Sequence, residues 1–150
     1  MKTLLVPIDF SEHSTRALEV AKQIARLAGG KIHLLHCYQL NVGGVSPYGV
    51  TIPDDFNQRI RDAAEEQLTV LEQAVAADGI EVESHLTPRY PSEAISDLAK
   101  ELGAEMIVMG TRGATGLQHI LLGSVAERTL RIAPCPVLTV KPEGHQFVMP

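Results

Sequence analysis

Short apolar runs alternate along this chain with segments whose apolar residues recur at helical spacing, and that alternation restricts the fold more than any other feature. "TLLVPI" is a near-continuous apolar run, as expected of a strand covered on both faces. In the following "DFSEHSTRALEVAKQIARLAGG", Ala17, Ala21, Ile24 and Ala28 recur at helical spacing, and Gly29-Gly30 stops the helix. "KIHLLHC" reads as a second strand, and Ile60, Ala64, Leu68, Leu71 and Val75 mark a second helix ending near Gly79. "IEVESHL" sets Ile80, Val82 and Leu86 against Glu81, Glu83 and His85, the alternation of a half-exposed strand suited to a sheet edge. "PSEAISDLAKELG" predicts a third helix through Ile95, Leu98, Ala99 and Leu102, and "EMIVM" a short buried strand. A fourth helix runs from about Ser124 to Ile132, and "CPVLTVK" is the last strand. The order βαβαβαβαβ requires a parallel sheet with right-handed crossovers, hence a three-layer open α/β sandwich.

At 150 residues, with no internal repeat and no dividing linker, one domain is expected. Residues 39–55 are rich in Gly, Pro and Ser without a period and predict a long loop; residues 142–150 predict a tail. A net charge of −5 argues against nucleic acid or an anionic membrane as the main partner. No run approaches the roughly 20 apolar residues of a membrane span. The opening "MKTLLVPIDFSEHS" is too short and too soon charged for a signal peptide, so a soluble cytoplasmic protein is expected. Cys37 and Cys135 fit neither a zinc spacing nor a CxxC motif and read as buried thiols; no metal site is assigned.

The chemistry concentrates in "MGTRGATGLQHILLGSVAERTL", residues 109–130, which holds four of the twelve glycines. Glycines there suit a backbone that approaches a partner closely or turns with positive φ. In open parallel sheets, ligands bind beyond the carboxyl ends of strands where the strand order reverses. If the first and fourth strands are neighbours at that point, Asp9 and the glycine stretch face one crevice. Gly110 and Gly113 would curl backbone N–H groups around an anion. Gly123 and Ser124 would open the fourth helix, whose N-terminus accepts phosphate, and Arg112 adds positive charge. Asp9 is an acceptor for ribose hydroxyls or an adenine amine. Two readings need no ligand: Ser124-Val125-Ala126-Glu127 is a capping box, and Asp9 is placed to cap the first helix.

The spacing Gly110-x2-Gly113-x9-Gly123-Ser124, together with "LLVPIDFSEHS" and "LLHC", resembles the universal stress protein family in its ATP-binding branch, over nearly the whole chain. The resemblance implies a five-stranded parallel sheet in the order 3-2-1-4-5. It implies that Pro7 and Asp9 contact the adenosine, Cys37 lies near adenine and Met109 packs on the base. Gly110, Arg112, Gly113, Gly123, Ser124 and Val125 would line the phosphates. The implied ligand is ATP, with AMP, ADP or a cyclic adenine nucleotide as alternatives and Mg accompanying ATP. A homodimer through strand five, residues 136–141, is implied as well: Val137, Leu138 and Val140 leave its edge apolar.

Two other classes compete with a stress-response nucleotide sensor of little or no turnover. A dedicated phosphotransferase is disfavoured, since there is no GxxxxGK[ST] loop, no GxGxxG after the first strand and no nucleophile elbow; a slow ATPase stays open as an alternative. The histidines are scattered; His119, inside the glycine stretch, is the one to test, and no catalytic residue is assigned. A nucleotide-independent dimeric interaction protein would be favoured by a broken glycine pattern, and the pattern is whole.

Overall fold

Strand β1, Thr3–Ile8, lies at the centre of the sheet because Leu4, Leu5 and Val6 are wholly buried and Ile8 nearly so. The computed structural model describes residues 3–40, 53, 55–112 and 122–142. After β1 come α1 (Glu12–Ala28), β2 (Lys31–Cys37), α2 (Phe56–Ala77), β3 (Val82–Thr87), α3 (Pro91–Leu102), β4 (Met106–Gly110), α4 (Ser124–Ile132) and β5 (Val137–Val140). The five strands form one parallel sheet in the order β3-β2-β1-β4-β5, as expected from the sequence. Most of the expected 39–55 loop and all but the first residue of the 142–150 tail lie outside the described residues.

Alternate residues of β1 serve opposite layers. Leu4, Val6 and Ile8 pack with Ile32, Leu34 and Val108 beneath Leu18 and Ala21 of α1 and Leu68 and Val75 of α2. Leu5, with Leu35, Ile107 and Met109, packs beneath Ile95 and Ala99 of α3 and Ala126 of α4. Each fully buried Leu or Ile contributes about 1.5–3 kcal/mol, so two such layers hold the sheet without staples. Both cysteines are free, and neither is fully buried.

Local signals set the helix ends. Ser11 caps α1 by accepting the Ser14 amide, and Pro91 begins α3, where its missing N–H costs nothing. Three helices give way to strands through left-handed glycines: Gly29 (φ 64°), Gly79 (φ 76°) and Gly103 (φ 58°). Among the described residues, no helix is long and apolar enough to cross a membrane.

Candidate functional site

The strand order reverses between β1 and its neighbours β2 and β4, and a cavity of about 340 Å³ opens beyond the carboxyl ends of these strands. Pro7 and Asp9 reach it from β1 and Cys37 from β2. Met109, Gly110 and Arg112 line it from β4, and Gly123, Ser124 and Val125 from the start of α4. Gly113, Gly116 and His119 lie outside the described residues.

The cavity has an apolar floor and a polar rim. Leu35, Ile95 and Met109 are at most 5% exposed and form the floor with Pro7. Leu35 and Ile95 were not anticipated from sequence; the signal was available once β2 is set beside β1, because Leu35 stands opposite Pro7 in the register. Gln39, Pro91 and Thr111 complete the lining and belong to no motif.

Asp9 follows β1 directly and is exposed at the rim. Its Oδ1 accepts the Ser11 amide at 3.0 Å and also the Ser11 hydroxyl. The cap of α1 is therefore Ser11 and not Asp9, which braces the cap from one turn outside. Between them Phe10 has φ 61°, the one non-glycine in the left-handed region among the described residues. That conformation costs roughly 1–2 kcal/mol. It is offset by packing: the Phe10 ring lies 4.5 Å from the His36 ring, and His36 Nδ1 is 2.7 Å from the Ile8 carbonyl oxygen.

At the opposite wall the Gly123 amide donates to the Thr111 carbonyl at 2.7 Å, and the Thr111 amide donates to Val140 at 3.1 Å. These bonds tie the start of α4 to the ends of β4 and β5. Gly123 occupies the cap position of α4, with Ser124 already inside the helix, so the expected capping box does not form. The backbone at Gly123 is extended (φ −72°, ψ 157°), so a positive φ is not what calls for glycine there. Gly123 has no side chain with which to cap α4. By helix geometry the amides of Ser124, Val125 and Ala126 have no carbonyl within the helix, and the dipole makes this end positive. All three residues, with Arg112, line the cavity. The rim thus offers hydrogen-bond donors on one side and the Asp9 acceptor on the other.

Cys37 is not poised for nucleophilic work. Burial pushes its thiol up to about 11, against a weaker opposing pull from Arg89. Glu93, beside the cavity in α3, is engaged by Arg128 of α4, whose guanidinium also lies 5.9 Å from the centre of the Tyr90 ring. That pairing holds the two helices over the site and leaves Asp9 as the acidic side chain lining the cavity among the described residues.

Comparison with known proteins agrees with this frame. The sequence model of the universal stress protein family matches residues 1–141. Universal stress protein YxiE of Bacillus subtilis is 34% identical over 144 residues, covering 92% of this chain and 97% of its own. The solved universal stress protein from Archaeoglobus fulgidus in complex with dAMP superposes with a TM-score of 0.66 at 28% identity, covering 94% of this chain and 98% of that one. A universal stress protein solved in complex with cAMP gives a TM-score of 0.68 at 26% identity, covering 93% and 96%. The match of the family along the sequence, and of its sheet order in space, makes this chain a member of the universal stress protein family.

Proposed function

We propose that the crevice binds an adenine nucleotide, ATP foremost, and that the protein is a stress-response nucleotide sensor with little or no turnover. The observation that carries this reading is the start of α4, capped by a glycine, whose first residues line the same cavity as an apolar floor. Adenine would rest against Met109, with Pro7 and the Cys37 backbone beside it. Asp9 would accept from the ribose. Phosphates would take the amides of Ser124 and Val125, the Ser124 hydroxyl and the Arg112 charge, with Gly110, Gly113 and Gly123 letting backbone come close. ADP, AMP and cyclic adenine nucleotides share the base and ribose contacts and are the alternatives; Mg would enter with ATP on its phosphates. The relatives solved with dAMP and cAMP support the ligand class.

The acids beside the crevice among the described residues support low turnover. Asp9 is engaged by Ser11 and Glu93 by Arg128, so neither is placed as a general base for water. The same reading has the protein acting in the cytoplasm as a homodimer through β5. There Leu138 is 36% exposed on an edge strand and Val137 and Val140 are half-buried.

Mass spectrometry of an acid extract of the purified protein, followed by calorimetry with ATP, ADP, AMP and cAMP, tests the ligand. Saturable adenine-nucleotide binding with phosphate release far below the median enzyme rate of about 10 per second is expected. Fast hydrolysis lost in His119→Ala would make the protein an ATPase. No binding of any of the four would leave the nucleotide-independent dimer.

A further inference from the structure

Away from the crevice, β2 and β3 bring three side chains with ligand atoms together on the face that α3 and α4 cover elsewhere. His33 stands opposite Glu83 in the parallel register, and Leu35 opposite His85, so His33, Glu83 and His85 share one side of the sheet. His33 Nδ1 and His85 Nε2 are 2.9 Å apart, and with a Glu83 carboxylate oxygen all three ligand atoms lie within 4.8 Å of one another. His33 is buried, His85 half-buried and Glu83 exposed, which gives the cluster a floor and an entry from solvent.

We propose that His33, Glu83 and His85 form a binding site for a divalent cation of the zinc class, pinning edge strand β3 to β2. Two imidazoles and one carboxylate with an open side are the set that zinc takes when it keeps its fourth position for water. Imidazole selects zinc over magnesium or calcium, which prefer oxygen.

The ring geometry sets what ion binding requires. The ring centroids are 5.2 Å apart with planes 25° from parallel, so the two nitrogens point at each other instead of the rings lying face to face. In the neutral pair one proton sits between those nitrogens. For both to ligate, the donor ring moves that proton to its other nitrogen, and both lone pairs then face the ion with no net proton released. Nitrogens sharing a tetrahedral zinc at about 2.0–2.1 Å are roughly 3.3 Å apart, so ligation moves the nitrogens apart by a few tenths of an ångström and turns each ring by roughly 35° to aim its lone pair at the ion. Glu83 is held by Lys31 at 2.8 Å, which would compete with the ion. Lys31 is also 3.5 Å from Glu81, so it retains an anionic partner when Glu83 turns inward.

Calorimetric titration of the full, tag-free and nucleotide-free chain with zinc chloride alone is the test. One saturable site per chain at micromolar zinc is expected. Glu83→Gln should weaken it at least about 10-fold and His85→Gln about 100-fold, the two ends of the range that even outer-shell changes span. The His85→Gln amide still offers His33 a hydrogen bond, and Glu83 is exposed, so both variants should fold. His13→Gln, on α1, should bind zinc like the parent chain. Absence of saturable binding, or binding that survives both Glu83→Gln and His85→Gln, would overturn the proposal and leave the histidines as a hydrogen-bonded pair.

Discussion

A Cβ placed on Gly110 would stand 3.0 Å from the carbonyl oxygen of His13 and 3.1 Å from both its carbonyl carbon and its Cβ. The first turn of α1 therefore presses directly on the end of β4, and glycine is there for proximity. In Gly110→Ala the helix backbone must retreat, because a carbonyl in a helix cannot rotate aside. We expect a loss of about 1–3 kcal/mol in urea unfolding, the usual cost of overpacking, together with weaker nucleotide binding. Gly103→Ala is the control: its φ of 58° is strained for alanine, but nothing lies within 4 Å of the new Cβ. It should cost about 1–2 kcal/mol and leave nucleotide affinity unchanged. A Gly110→Ala protein as stable and as tight-binding as the parent would refute the contact.

Asp9 has two separable duties. Asp9→Ala should weaken adenosine nucleotides by on the order of 1.5–3 kcal/mol while leaving inorganic triphosphate nearly unaffected, as expected for loss of a charge-assisted bond. It also removes the acceptor for the Ser11 amide, so some stability goes with it. Asp9→Asn keeps that acceptor without the charge and should restore stability more fully than affinity. Equal losses for both ligands by calorimetry would place Asp9 away from the nucleoside.

Cys37 reports on the floor of the cavity. With its thiol pushed up to about 11, only about one molecule in a thousand is thiolate at pH 8. In a Cys135→Ser background, iodoacetamide should therefore react slowly at pH 8, and the rate should climb about tenfold per pH unit until it levels near 11. Saturating ATP should slow it further. Rapid alkylation at neutral pH, or no protection by any adenine nucleotide, would contradict the burial or the ligand respectively.

Light scattering should report twice the 16.2 kDa chain mass for the parent protein. Leu138→Pro combined with Val140→Asp removes one edge donor and sets charge at the seam, and this double variant should move toward monomer. A monomeric parent at micromolar concentration disposes of the dimer, and a dimer indifferent to both changes moves the interface off β5.

What the sequence made legible was local. Helix ends written in single residues, such as Gly29, Gly79, Pro91 and Gly103, and strands written as apolar runs could be read without knowing the fold, whereas the sequence points to Asp9 as the cap of α1 where Ser11 serves. The crevice was legible because a spaced glycine pattern coincides with a reversal of strand order. Gly123 instead of Ser124 at the cap of α4 was not, since cap geometry depends on the bond to Thr111. Phe10 in a left-handed conformation runs against residue preference and is held by a ring from β2. The His33–His85 pair spans 52 positions and exists only through the register of β2 on β3, which no spacing rule along one chain contains.

The five strands all run the same way, and the left-handed glycines that follow α1, α2 and α3 all fall on the rim where strands begin. Everything that lines the crevice falls at the other rim or in the layers beneath it. Helix stops therefore sit at the rim away from the crevice, whereas the helix starts at Ser11 and Pro91 and the close packing at Gly110 belong to the crevice end. Substitutions among the left-handed glycines bear on folding alone, while at the crevice Asp9 and Gly110 bind stability to whatever the cavity holds.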